Sequence, residues 1–101
     1  MSGQMLSART CRSPPPVPTV SRFFGIVVFL NYRDHQPPHF HATYGDDEVT
    51  VEIRGGTVTG TMSKRALRLV LEWAEIHEEA LMQNWDLARE HKALVPIPPL
   101  T

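Results

Sequence analysis

Three histidines fall in the string His35-Gln36-Pro37-Pro38-His39-Phe40-His41-Ala42. His39 and His41 are two residues apart, so on an extended strand both imidazoles leave the same face. Two imidazoles placed that way can share a metal ion, and zinc then asks for a third and fourth ligand. His35, Asp34 and Glu52 are the candidates to supply them. A His₂-carboxylate or His₃ site holding zinc or manganese would activate water for hydrolysis. The plainer alternative is an ordinary sheet face, in which His39 and Glu52 form a cross-strand pair of modest worth.

Whether these side chains meet depends on the strands that carry them. Phe40, Ala42 and Tyr44 alternate with His39, His41 and Thr43; Val49, Val51 and Ile53 alternate with Glu48, Thr50 and Glu52. A two-residue turn at Gly45-Asp46 pairs Ala42 with Val49, Phe40 with Val51, His41 with Thr50 and His39 with Glu52. Every apolar residue then lies on one face and every polar one on the other, which a one-residue slip would invert. A second two-residue turn, at Gly55-Gly56, pairs Ile53 with Val58 and Glu52 with Thr59 and gives the same sorting. Ahead of these strands, VSRFFGIVVFL (residues 20–30) is apolar on both parities and reads as one strand covered on both sides, with a bulge or close approach at Gly25. Pro37 and Pro38 force an extended loop between it and the histidine strand.

Ser63 is an N-cap, and Ala66, Leu67, Val70, Leu71 and Ala74 follow at helical spacing, a pattern continued by Leu81, Trp85 and Ala88. One helix from Lys64 to Glu90 would be about 40 Å long, more than so small a domain can cover, so a break is expected near His77-Glu78. The prolines at 96, 98 and 99 keep residues 93–101 from continuing the helix. Leu94, Ile97 and Leu100 suit an extended course across an apolar groove, on this chain or on a partner. The fold class is therefore α+β: an antiparallel β-meander of about four strands followed by one long kinked helix or two helices.

A chain of 101 residues makes one domain. Residues 1–18, rich in Ser, Arg and Pro, read as a disordered tail, which leaves a single α+β domain over 19–101. The tail holds Arg9 and Arg12 and no acid, so the rest carries eight basic against eleven acidic residues. That balance disfavours general nucleic-acid binding. The single cysteine, Cys11, can form no internal disulfide. No apolar run is long enough to cross a bilayer, and no signal-peptide pattern is present, which makes the cytoplasm the expected location.

Two further features invite binding. Lys64, Arg65 and Arg68 occupy the first turns of the helix, where free N–H groups and cations can hold a phosphate or an acidic partner. The plainer reading is a solvated face with Arg68–Glu72 as an i,i+4 pair. Tyr32 and Arg33 suit the edge of the histidine face. Trp73 and Trp85 suit either an interface or the core, and the core is the better reading for at least one of them. Ser63 reads as a cap, and no nucleophilic triad or phosphate loop is present.

The string TVSRFFGIVVFLNYRDHQPPHFHATYGDDEVTVEI, with its H-x-x-P-H-F-H-A core followed by Tyr44-Gly45, resembles the domain-of-unknown-function 4160 family of small bacterial proteins. The resemblance extends through RALRLVLEWAEIHEEALMQNWDLA to the proline-rich end. It implies a compact one-domain protein, often encoded beside a domain-of-unknown-function 2442 protein in an arrangement similar to toxin–antitoxin pairs. Starts in that family fall near Val17, so residues 1–16 read as the product of an upstream start.

Two functions are consistent with these residues. The first is a small interaction or regulatory protein, one half of a toxin–antitoxin-like pair, binding a small protein encoded nearby. Its contact surface would be the histidine face, the Pro37-Pro38 loop or the C-terminal segment. The second is a small metal-dependent hydrolase or nuclease using His35, His39, His41 and Glu52.

Overall fold

The computed structural model describes residues 19–32 and 34–101; the tail and Arg33 lie outside them. Five strands precede two helices: β1 (Thr19–Phe23), β2 (Ile26–Phe29), β3 (His39–Tyr44), β4 (Asp47–Glu52), β5 (Val58–Gly60), α1 (Lys64–Ile76) and α2 (Glu78–Arg89). The strands form one antiparallel sheet in the order β1-β2-β3-β4-β5. The fold is α+β, with one strand more than the apolar pattern suggests.

The extra strand comes from residues 20–30, which form a hairpin instead of one strand. Phe24 and Gly25 both adopt positive φ, 50° and 83°, so they are the central pair of a primed two-residue turn whose twist suits a hairpin. Phe23 pairs with Ile26 across it. Phe24 is left 57% exposed at the tip while Phe23 and Ile26 are buried.

The β3–β4 hairpin has the expected register: His39 opposite Glu52, Phe40 opposite Val51, His41 opposite Thr50, Ala42 opposite Val49. The β4–β5 register differs. Val51, not Ile53, pairs with Val58, and Thr50 pairs with Thr59. The loop is longer than two residues and is closed by Glu52 N–H to Thr57 C=O (2.9 Å) and Gly56 N–H to Glu52 C=O (3.1 Å). The slip is two residues, which preserves the side-chain parity and so keeps the apolar face intact. Ile53 stays buried, and its N–H donates to Pro38 C=O at 3.0 Å, tying the proline loop to the sheet.

Helix α1 starts at Ser63, whose Oγ accepts from Ala66 N–H at 3.1 Å. The helix breaks at His77, which has φ −112° and ψ 29°. Glu78 and Glu79 then open α2, where the N-terminal dipole favours acids, and Glu78 also takes Arg54 at 2.8 Å. The sheet's apolar face closes on Ala66, Val70 and Trp73 of α1 and on Leu81 and Trp85 of α2. Both tryptophans are core residues, at 0% and 2% exposure. Trp73 stands 5.4 Å from the Phe23 ring and 5.9 Å from Phe40.

The C-terminal segment lies on its own chain. Ile97 is buried, and its N–H donates to Val20 C=O at 2.8 Å on the edge strand β1. Trp73 Nε1–H donates to Pro98 C=O at 2.9 Å. The buried Asn84 amide grips Val95 at both its C=O (2.9 Å) and its N–H (2.8 Å). No helix of the described residues is long and apolar enough to cross a membrane.

Candidate metal centre

The loop from Asn31 to Pro38 leaves β2 and returns to β3, its antiparallel neighbour. It therefore folds back over the strand ends and delivers Asn31 and Asp34 to the histidine face. Asp34 Oδ2 lies 3.1 Å from His39 Nε2 and 2.8 Å from His41 Nε2. One ligand atom from each of Asp34, His39 and His41 falls within 4.8 Å of the others. The three side chains are 13–20% exposed, partly withdrawn from water yet reachable.

The outer atoms of the two rings decide what the inner atoms can do. His39 Nδ1 lies 2.8 Å from Pro37 C=O; a carbonyl only accepts, so Nδ1 carries the proton. In neutral His39 the lone pair is then on Nε2, the atom that faces Asp34. His41 Nδ1 faces Glu48 Oε2 at 3.3 Å and Thr50 Oγ1 at 3.4 Å, and a carboxylate likewise only accepts. Neutral His39 thus aims its Nε2 lone pair at Asp34, and His41 does the same in the tautomer whose proton is on Nδ1, toward Glu48; a cation between the three side chains matches that arrangement. The inner separations, 3.1 and 2.8 Å, are hydrogen-bond lengths, and a bound ion would need Asp34 to move outward by a few tenths of an ångström. Donor atoms about 2.0–2.1 Å from a tetrahedral zinc stand about 3.3 Å apart. A carbonyl and a carboxylate on the outer nitrogens are what metal-binding histidines usually have behind them.

Packing holds the rings in this attitude. Phe29, the β2 partner of His41, stacks on it at 5.0 Å and 9°. Trp85 lies 5.3 Å from the His39 ring. The Asn31 amide reaches His41 Nε2 at 3.2 Å, beside the same inner space.

The remaining sequence-based candidates divide. His35 is exposed, and it is outside the Asp34–His39–His41 group although it adjoins Asp34. Glu52 stands opposite His39 in register but is also outside the group; it borders a depression shared with Arg54, Gly55 and Glu78. Arg65 and Arg68 are exposed on α1 and do not line one site. Arg65 borders a depression with Phe24, Tyr44 and Ser63, and Arg68 another with Lys64, Glu72 and Glu75. Tyr32 stacks near His91, 6.1 Å between centroids.

Glu48 and Asn31 are the site residues that sequence reasoning passes over. Glu48 had a signal: two residues before Thr50 on β4, it is a diagonal neighbour of His41 across the strand pair.

Residues 25–86 match the sequence family described as Domain of unknown function (DUF4160). The chain belongs to this family. The DUF4160 segment runs from the first turn to the middle of α2, so it contains the whole histidine cluster, the loop that supplies Asp34, and Glu48. Strand β1 and the C-terminal segment that covers it flank the matched region. No curated protein and no solved structure matches the chain.

Proposed function

We propose that this protein is a small metal-dependent hydrolase, with a divalent ion such as zinc or manganese held by Asp34, His39 and His41. The observation that carries the reading is the convergence of two Nε2 atoms on one Asp34 oxygen while both Nδ1 atoms face oxygen acceptors. Structural zinc sites close with four protein ligands; catalytic ones use three and leave a position for water. A bound ion here would lower the pKa of that water to about 7 and so supply hydroxide at neutral pH. The chain's own contribution is to fix both imidazoles with their lone pairs inward and to hold the carboxylate between them.

The test is metal analysis of the purified protein after dialysis against zinc and against manganese, followed by assay on chromogenic ester, amide and phosphodiester substrates. One equivalent of metal, with turnover that disappears on chelation and returns on reloading, supports the hydrolase. A protein that takes up neither ion refutes it.

The interaction reading has its own supporting observation. Phe24 and Tyr44, 57% and 38% exposed, lie at one rim with Arg65, and aromatic residues with arginine are the usual anchors of interfaces. Under this reading the partner is a small protein encoded nearby, in a toxin–antitoxin-like pair. A metal-free protein that co-purifies with the product of the adjacent gene, and releases it when Phe24 is replaced by Ser, supports this reading over the first.

A further inference from the structure

We infer that Glu48 is a positioning residue for the metal centre, holding His41 in the tautomer that leaves Nε2 free to ligate. The inference rests on the metal-binding reading above and adds to it a residue that reaches the ion only through another side chain. Glu48 Oε2 lies 3.3 Å from Nδ1, on the far side of the ring from Asp34. It is therefore neither a ligand nor a base for metal-bound water.

The role follows from a competition. His41 Nε2 is only 2.8 Å from Asp34 Oδ2. If the ring proton sits on Nε2, that contact becomes a charge-assisted hydrogen bond, with ligand and ligand satisfying each other and no lone pair left for an ion. If the proton sits on Nδ1, Nε2 is a donor to metal. For His39 the choice is made by a backbone carbonyl, that of Pro37 at 2.8 Å, which no side-chain substitution removes. For His41 it is made by side chains: the Asn31 amide, 3.2 Å from Nε2, can donate there, and the groups at Nδ1 act with it against the pull of Asp34. The Glu48 carboxylate can only accept from Nδ1, whereas the Thr50 hydroxyl, at 3.4 Å, can donate or accept and so imposes neither form. Stacking on Phe29 fixes the plane of the ring but not the position of its proton. Among the described residues, Glu48 is the one charged group facing Nδ1, and its negative charge also strengthens a donor made more acidic by a cation at Nε2.

The experiment compares the full chain with Glu48→Ala and Glu48→Gln. Glu48 is 52% exposed on its side chain, and far-UV circular dichroism verifies that the variants fold. Zinc affinity is measured by competition with a chromophoric chelator, and long-range proton–nitrogen spectra of the imidazoles report each tautomer. Glu48→Ala should bind zinc about 10–100-fold more weakly. In the ion-free protein it should move the His41 proton toward Nε2 and leave His39 unchanged. Glu48→Gln, whose amide oxygen still accepts, should recover part of the affinity. Zinc binding by Glu48→Ala equal to that of the parent, or an unchanged His41 tautomer, overturns the inference while leaving the metal site standing. If the parent binds no zinc, the metal reading falls, and the inference with it. A tautomer shift in that case would mark Glu48 as an orienter of His41 without a metal role.

Discussion

Asp34 Oδ2 and His41 Nε2 stand 2.8 Å apart, although one comes from a loop and the other from the middle of a strand. Nothing in the regular sheet requires that contact, so it measures how far the loop has been folded to meet the histidine face. Replacing both His39 and His41 with Ala should abolish zinc uptake. At 15% and 13% exposure, with hydrogen bonds and ring stacking lost together, the cost should be about 1–3 kcal/mol for each, small enough to leave the variant folded. Metal content alongside denaturant unfolding checks it. A folded variant that retains a full equivalent of zinc would refute the ligand assignment.

Phe24→Asn should stabilise the protein although it deletes a large apolar side chain. Phe24 has φ 50° and is 57% exposed, and Asn-Gly is the favoured pair for a turn with two positive φ values. The expected gain is about 0.5–1 kcal/mol, from removing left-handed strain. A fall in the thermal midpoint would mean that the Phe24 ring contributes more to packing than its exposure implies.

Arg65 and Arg68 should separate in function. Both are exposed on α1, so Gln at either position should change unfolding by less than about 0.5 kcal/mol. Only Arg65 borders the rim with Phe24 and Tyr44. Arg65→Gln should therefore weaken capture of an acidic partner protein, whereas Arg68→Gln should not. Equal losses in a pull-down with purified partner would restore the joint anion site that the sequence suggests.

Asn84→Ala should be among the most damaging single changes to the helices. Asn84 is 1% exposed and satisfies both the N–H and the C=O of Val95. Its loss removes both partners of the Val95 backbone, and because Val95 is itself 56% exposed water can take up part of the bonding, so the expected cost is about 1–3 kcal/mol in total. Chemical denaturation gives the total. A cost under about 1 kcal/mol would show that water replaces the amide.

The legible and illegible parts of this fold differ for a physical reason. Parity is a property of the strand alone, so the face shared by His39 and His41 could be read from spacing. Loop length is not, which is why the β4–β5 hairpin closes two residues away from the simplest turn and yet buries the same side chains. The Phe24-Gly25 turn was hidden because its first residue pays a left-handed cost that Asn or Gly would have advertised. Which loop neighbour turns inward, Asp34 or His35, depends on where Asn31–Pro38 crosses the strand ends, a tertiary matter. Glu48 reaches His41 as a diagonal neighbour, whereas Glu52, though directly opposite His39, borders the depression with Arg54 and Gly55; the alternating pattern treats the two glutamates alike.

The contact between Ile97 and Val20 sets an order on synthesis. Strand β1 leaves the ribosome before the rest of the sheet, but among the described residues its outer edge is covered by a segment made after both helices. During translation, that edge is an open template on which a neighbouring nascent chain can add a strand. Docking of residues 94–100 closes it, with Ile97 sealing β1, Asn84 holding Val95, and Trp73 holding Pro98.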